Sequence, residues 1–121
     1  MSRAKKIKYI VIHCSAGFGT YDSMKRYWFD PKPKGLGWKT GGYHRVIYED
    51  GTIINAYDFE TITNGVGDFN TECIHICYVG GINKQTGKGL DTRTENQKAG
   101  ILKCIIEAIK WLRINGKDTT D

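Results

Sequence analysis

The chain has 121 residues, of which 40% are hydrophobic and 26% are charged, and it carries a formal net charge of +5. These values are typical of one soluble globular domain, and they exclude a disordered or fibrous chain. The mild basic excess permits binding to a polyanion, but no motif of a nucleic-acid-binding domain accompanies it, so we expect no specific nucleic-acid partner.

Targeting signals are not evident in the sequence. The N terminus is basic, but the apolar run at residues 9–12 is too short for the hydrophobic segment of a signal peptide. No stretch approaches the roughly 18 apolar residues of a membrane span. We therefore expect synthesis in the cytoplasm and no membrane span.

The four cysteines are Cys14, Cys73, Cys77 and Cys104. None belongs to a Cys-x-x-Cys pair, and their spacing matches neither a disulfide framework nor a zinc ribbon. We expect buried free thiols, which are typical of a protein made in a reducing compartment.

The first predicted elements are a strand and a short helix. Residues 8–13 form a nearly continuous apolar run, which predicts a strand that is buried on both faces of a sheet. Thr20 or Asp22 then caps a predicted helix that runs to about Phe29, where two prolines end it. The glycine-rich stretch at residues 34–42 is predicted to be a loop.

A hairpin and a third strand follow. Residues 43–48 and 52–55 are predicted strands, joined by a tight turn at Asp50 and Gly51. A polar, irregular stretch then leads to a long predicted strand at residues 73–79.

The last predicted element is a helix from about Thr94 to Asn115. Thr94 and Gln97 fit a capping box, and apolar residues recur at three- and four-residue spacing behind them. The order strand, helix, hairpin, strand, helix predicts a single α/β domain over residues 1–121, with a mixed central β-sheet flanked by helices. Because the chain stops soon after a helix that would naturally lead into another strand, we expect the fold to be C-terminally incomplete.

Three histidines are candidates for chemistry. His13 ends a predicted strand, at the edge of an α/β sheet where ligands bind, and imidazole is a good zinc ligand, although a structural role is the more common one. Tyr43 and His44 point to opposite faces, and a tyrosine near a metal can stabilise an oxyanion, although simple packing also fits. His75 lies in mid-strand, and we expect it on the less buried face. Their spacing matches no compact metal motif, so these residues alone leave the function open.

Four blocks in order resemble the phage-lysozyme-type N-acetylmuramoyl-L-alanine amidases, a family that includes the peptidoglycan recognition proteins. Each block is weak alone, but their order and spacing are specific, and the resemblance spans residues 8–114. The blocks are VIHCSA at 11–16; GW, GYH and EDGT between 37 and 52; Asn70 with IHICYVGG at 74–81; and Thr94 with Gln97 at the start of the long helix.

The resemblance implies a zinc hydrolase that cleaves the amide between N-acetylmuramic acid and the L-alanine of the stem peptide. Two histidines and a cysteine hold the zinc in that family, and the metal activates a water molecule. By match, His13 corresponds to the first zinc ligand and Tyr43 to the tyrosine that assists the water or the oxyanion. Trp38 and His44 would lie near the substrate groove. The implied partner is peptidoglycan or a muropeptide, reached at the bacterial cell wall once another factor releases the protein.

The sequence also departs from the family pattern. The second histidine and the cysteine of the family lie beyond the long helix, in segments that this sequence does not contain. The loop at residues 64–67 lacks a histidine that the family often has there, and His75 stands where glycine is usual.

These departures make us expect that the chain alone is inactive. One imidazole binds zinc only weakly, so we expect no zinc on this chain by itself. It is then a fragment of an active enzyme or a natural remnant, and the alternative is a non-catalytic peptidoglycan-binding or regulatory module. An incomplete sheet would expose an edge, through which we expect two copies to form a homodimer.

Overall fold

The computed structural model describes residues 2–120. Its main elements confirm the predicted order, with short 3-10 helices at Ala4–Lys6 and Asn70–Glu72 that were not predicted. The strands and helices are β1 (Tyr9–Cys14), α1 (Tyr21–Phe29), β2 (Arg45–Ile47), β3 (Ile53–Asn55), β4 (Cys73–Tyr78) and α2 (Glu95–Ile114).

The four strands form one mixed sheet in the order β1-β4-β2-β3. The central strand β4 pairs in parallel with β1 on one side and with β2 on the other. β2 and β3 form the predicted antiparallel hairpin, and Gly51 in its turn has a positive φ of 91°. Parallel pairing makes β1, β4 and β2 run in the same direction, and the candidate site lies on one face of these three neighbouring strands.

The prediction that the first strand is buried on both faces is wrong. β1 is an edge strand, with a hydrogen-bonded neighbour on one side only within residues 2–120. Tyr9 is 54% exposed and Ile12 is 39% exposed. An apolar run indicates that a segment is a strand, but its place in the sheet depends on pairing with β4, which lies far away in sequence.

The helix α2 covers one face of the sheet. On that face Ile74 and Ile76 of β4 are fully buried against Ile101 and Ala108 of α2. The capping box is confirmed, because the Thr94 hydroxyl accepts a hydrogen bond from the Gln97 backbone and the Gln97 side chain accepts one from the Thr94 backbone. In the described part of the chain, no helix is both long and apolar enough to span a bilayer.

All four cysteines are free thiols, as predicted. Three of them are buried, but Cys14, at the end of the edge strand β1, is exposed. The expected burial therefore fails at Cys14 for the same reason that it fails along β1.

Candidate functional site

Three neighbouring strands bring the three histidines together. His13 lies near the end of β1, His75 lies in the middle of β4, and His44 directly precedes β2. The His13 and His75 rings are 4.9 Å apart between centroids, and the His44 and His75 rings are stacked at 6.2 Å. The three rings therefore form one cluster on the face of the sheet opposite α2.

His75 links His13 to the loop before β4. Its Nδ1 atom lies 2.8 Å from Nε2 of His13, and its Nε2 atom lies 3.0 Å from Oδ1 of Asn70. The ring is completely buried, which contradicts the expectation that His75 occupies the less buried face. The sequence named His75 as a candidate but indicated no role for it, because its partner His13 is 62 positions away.

His44 lies beneath this pair and is fully buried. Its Nδ1 atom accepts a hydrogen bond from the His75 backbone at 3.0 Å, and its Nε2 atom donates to the Thr61 carbonyl oxygen at 2.7 Å. Both ring nitrogens are thus used inside the protein. His44 therefore supports the cluster from inside the protein, and its expected place near the substrate groove stays a prediction.

The electrostatics of the cluster favour neutral imidazoles. Burial lowers the pKa of His44 to about 4, with further lowering by the positive charges of Arg3 and Arg45. Burial lowers the pKa of His75 to about 3, and His13, His44 and Arg3 add to the effect. Burial also lowers the pKa of His13. At neutral pH each ring therefore carries a single ring hydrogen.

Arg3 contributes a buried positive charge to this surrounding. Its guanidinium donates to the backbone oxygen of Phe59 at 2.7 Å and to that of Cys73 at 3.0 Å. Although Arg3 belongs to the basic N-terminal segment, it is only 9% exposed. It ties the N-terminal segment to the start of β4 next to His44.

Tyr43 packs on the other side of His13. Its ring centroid lies 5.1 Å from that of His13 and 5.5 Å from that of Trp28. Burial raises the pKa of Tyr43 well above its usual range, and the neighbouring Cys77 thiol raises it further. The phenol therefore stays protonated, and its hydrogen-bonding neighbour is the Cys77 thiol.

Cys77 is poorly suited to bind a metal ion. Burial raises the pKa of its thiol to about 12. Because the thiolate is the form that binds metals, a thiol with such a pKa is a weak ligand at neutral pH.

A groove of about 590 Å³ opens beside the histidine cluster. Trp38 lies in its wall, and Gly65 and Asn70 connect it to His75. A side chain at position 65 would overlap with the His75 ring. The lack of a side chain at position 65 is therefore what leaves room for the His75 ring. The remaining lining residues are Lys39, Thr40, Asn64, Val66, Gly67 and Asp68.

The described residues do not form a complete metal site. Within residues 2–120, no group of three or more His, Cys, Asp or Glu side chains is arranged to hold a metal ion. His13 fits a single ligand position, since it is partly exposed and no hydrogen bond among these residues uses its Nδ1 atom. A catalytic zinc ion needs about three protein ligands, so His13 alone is not enough to hold the ion.

Comparison with known sequences identifies one family. The family described as N-acetylmuramoyl-L-alanine amidase matches residues 3–118. An endolysin of Klebsiella phage KP32 is 32% identical over 84 residues, which is 67% of this chain and 53% of that protein. An endolysin of Enterobacteria phage K11 is 34% identical over 74 residues, covering 59% and 46% of the two chains. The matched region thus spans about half the length of these relatives.

Comparison with solved structures finds the same fold in enzymes and recognition proteins. N-acetylmuramoyl-L-alanine amidase LysC from Clostridium intestinale URNW superimposes with a TM-score of 0.69 at 20% identity, covering 93% of this chain and 68% of that one. PGRP-SA from Apis mellifera gives a TM-score of 0.68 at 18% identity, covering 87% and 63%. The endolysin of Thermus scotoductus bacteriophage Ph2119 gives 0.67 at 25% identity, covering 86% and 64%. These matches confirm the predicted amidase-like α/β fold.

Proposed function

This chain belongs to the N-acetylmuramoyl-L-alanine amidase family, and we propose that it is the peptidoglycan-cleaving domain of a cell-wall hydrolase. The proposed reaction is hydrolysis of the amide between the lactyl group of N-acetylmuramic acid and the L-alanine of the stem peptide. One observation carries the proposal. His13 and Tyr43, which match a zinc ligand and an assisting tyrosine of the family, lie 5.1 Å apart between ring centroids. His13 is linked through His75 to Asn70, which lines the groove that contains Trp38.

The relatives support the same reaction. Both similar phage proteins are endolysins, and each shares about a third of its aligned residues with this chain. The chain spans only about half of the length of these endolysins. We therefore propose, from the shared family, that it cleaves peptidoglycan. The proposed place of action is the bacterial cell wall.

The residues of this chain suggest distinct roles in that reaction. Tyr43 is a protonated donor next to His13, so its hydroxyl can stabilise the negative charge that develops on the scissile carbonyl oxygen. Trp38 offers an aromatic surface in the groove wall for a sugar or peptide portion of the substrate. We assign no step to a metal, because within residues 2–120 no group of three or more His, Cys, Asp or Glu side chains is arranged to hold one.

Zinc is nevertheless the cofactor we propose, with His13 as one ligand. The chain of 121 residues alone should then retain little zinc and release no peptide from peptidoglycan. The test compares this chain with a form that includes any further residues its gene encodes. Zinc content is measured by atomic emission, and cleavage is measured as new amino-terminal L-alanine on released stem peptides.

Zinc content and peptide release together distinguish a catalytic domain from a non-catalytic one. We expect the longer form to bind about one zinc per chain and to release stem peptides. In that form Tyr43→Phe keeps the aromatic packing but removes the hydroxyl donor, and we expect a loss of roughly 100- to 1,000-fold in turnover. A longer form that holds no zinc and releases no peptide would remove the catalytic proposal.

A non-catalytic peptidoglycan-binding module is the second candidate. The lack of a group of three metal-ligating side chains within residues 2–120 favours it, because binding in the groove needs no metal. Sedimentation with purified cell walls at moderate salt tests this candidate, with Trp38→Ala as the groove variant and the exposed Leu90→Ala as a control outside the groove. Wall binding that depends on Trp38 and occurs without peptide release in any form would favour it. A chain that does not sediment with walls would exclude it.

We also propose a homodimer through the open edge of the sheet. The exposed side chains of Tyr9 and Ile12 lie on β1, whose outer side has no paired strand within residues 2–120. Such an edge can pair with the edge of another copy.

A further inference from the structure

A chain of hydrogen bonds with a defined direction begins at the groove. The backbone N–H of Val66 donates to Oδ1 of Asn70 at 2.9 Å. A backbone amide can only donate, so the Asn70 atom that faces it must be the carbonyl oxygen and not the amide nitrogen. The orientation of the Asn70 side chain is therefore determined by the backbone.

The same oxygen determines which hydrogen His75 carries. Oδ1 of Asn70 lies 3.0 Å from Nε2 of His75 and can only accept, so Nε2 of His75 must donate. A neutral imidazole has one ring hydrogen, which leaves Nδ1 of His75 as an acceptor.

The acceptor Nδ1 of His75 in turn determines which ring nitrogen of His13 carries the hydrogen. Nε2 of His13 lies 2.8 Å from Nδ1 of His75, so it must carry the hydrogen and donate it. In the neutral His13 ring, the lone pair is then on Nδ1, which no hydrogen bond within residues 2–120 uses. The geometry thus selects one of the two tautomers of His13.

His75 is held firmly enough to impose this selection. Its backbone N–H donates to Nδ1 of His44 at 3.0 Å, and the two rings are stacked with an interplanar angle of 16°. Gly65 closes the opposite side, since any side chain there would overlap with the His75 ring. A buried ring between these two residues has little freedom to turn.

We propose that His75 is a positioning residue, which together with Asn70 holds His13 as the Nε2–H tautomer and keeps its Nδ1 atom free to bind a divalent metal ion. Hydrogen bonding to the second ring nitrogen is how proteins orient metal-binding histidines. The metal-binding part rests on the proposed amidase function. The hydrogen-bond direction does not rest on it.

The donor and acceptor of the His13–His75 hydrogen bond can be identified by NMR on the ¹⁵N-labelled chain of 121 residues. The chain contains only three histidines, so their ring signals can be assigned. We expect the ring hydrogen of His13 on Nε2, with a scalar coupling across the hydrogen bond to Nδ1 of His75. Asn70→Ala removes the acceptor and should weaken or abolish this coupling. Asn64→Ala is the control, because Asn64 lies in the same groove and its side chain donates to the Thr40 carbonyl oxygen, with no hydrogen bond to His75 within residues 2–120.

The backbone amide spectrum verifies that both variants remain folded. A hydrogen on Nδ1 of His75 in the native chain would overturn the proposal. A coupling that persists unchanged in Asn70→Ala would also overturn it, since His75 would then keep its direction without Asn70.

The consequence for metal binding is measured in the form that includes any further residues of the gene. We expect Asn70→Ala to weaken Zn²⁺ binding by roughly 10- to 100-fold, and Asn64→Ala to leave it unchanged. If Zn²⁺ displaces the hydrogen and binds both Nε2 of His13 and Nδ1 of His75, then His75 is itself a ligand and the proposal is wrong. If no form binds Zn²⁺, the amidase proposal and the metal-binding part fail, while the NMR result still decides the hydrogen-bond direction.

Discussion

On the face of the sheet beneath α2, Ile74 and Ile76 are completely buried among apolar side chains, whereas on the opposite face the same strand presents His75 to hydrogen-bonding partners. Both sets of side chains are equally inaccessible to solvent. They differ in what burial requires of them, because an apolar group needs only close packing, while an imidazole needs a partner for each ring nitrogen.

The two faces of β4 should therefore contribute differently, one mainly to the stability of the fold and the other mainly to the chemistry of the site. Substitution on the α2 face should change the free energy of unfolding and leave the candidate site intact. Substitution on the histidine face should change hydrogen bonds and protonation, with smaller effects on stability. The following predictions test that separation, beginning with the largest expected effect.

Truncation of Ile76 should cause the largest loss of stability. Ile76 is fully buried in the core, and Ile76→Ala removes buried methyl groups and leaves a cavity, so we expect a loss of about 2–5 kcal/mol in urea unfolding. Ile12→Ala is the matched control, because Ile12 pairs directly with Ile76 but is 39% exposed. Equal losses for the two variants would contradict the difference in burial between β4 and β1.

Acidification should destabilise the protein through the histidine face. The pKa of His44 is about 4 in the folded protein, below its ordinary value of 6.5, so below pH 6.5 the unfolded chain binds more protons. Stability is therefore full above pH 6.5 and decreases as the pH falls toward 4, by about 3 kcal/mol from His44 alone. Urea unfolding at pH 7.5, 6 and 5 measures this, and a free energy of unfolding that does not change over that range would contradict neutral, buried histidines.

A methyl group at position 65 should disturb the histidine pair. Gly65→Ala places Cβ against the His75 ring, so we expect a loss of about 1–3 kcal/mol and loss of the His13–His75 hydrogen bond. Gly67→Ala is the control in the same loop, since a Cβ there would contact nothing within 4 Å. If Gly65→Ala keeps the native histidine NMR signals, the loop does not hold His75 in place.

A charge on the edge strand should affect association more than stability. Ile12 is partly exposed on β1, so Ile12→Lys should alter the free energy of unfolding by about 0.5 kcal/mol or less. If copies pair through this edge, sedimentation velocity should show a dimer that Ile12→Lys converts to monomer. A native chain that remains monomeric at high concentration would exclude the proposed homodimer.

The local elements were predictable from the sequence because their causes are local. The α2 capping box depends on Thr94 and Gln97, which are three residues apart, and the hairpin turn depends on Asp50 and Gly51. The order of elements and the mixed sheet followed from these patterns and from the family resemblance. Even so, Gln97 does more than cap the helix, since its buried amide also donates to the backbone oxygens of Ile47 and Val79.

The edge position of β1 and the role of His75 were not predictable, because each depends on contacts between distant residues. The apolar residues of β1 fit a central strand as well as an edge strand, and only pairing with β4 decides between them. His75 acquires its partners from β1 and from the loop at Asn70. The one sequence feature that pointed to a role for His75 was the presence of a glycine, Gly65, in the preceding loop. That feature can be interpreted only once Gly65 and His75 are known to be in contact.

The central claim is that the histidine face carries the chemistry, and peptide release from purified peptidoglycan tests it most directly. Native protein that includes any further residues of the gene is compared with His13→Ala and with Ile12→Ala, its neighbour on the opposite face of β1. We predict that new amino-terminal L-alanine appears with the native protein and with Ile12→Ala, and falls to background with His13→Ala. Undiminished release by His13→Ala would contradict the account.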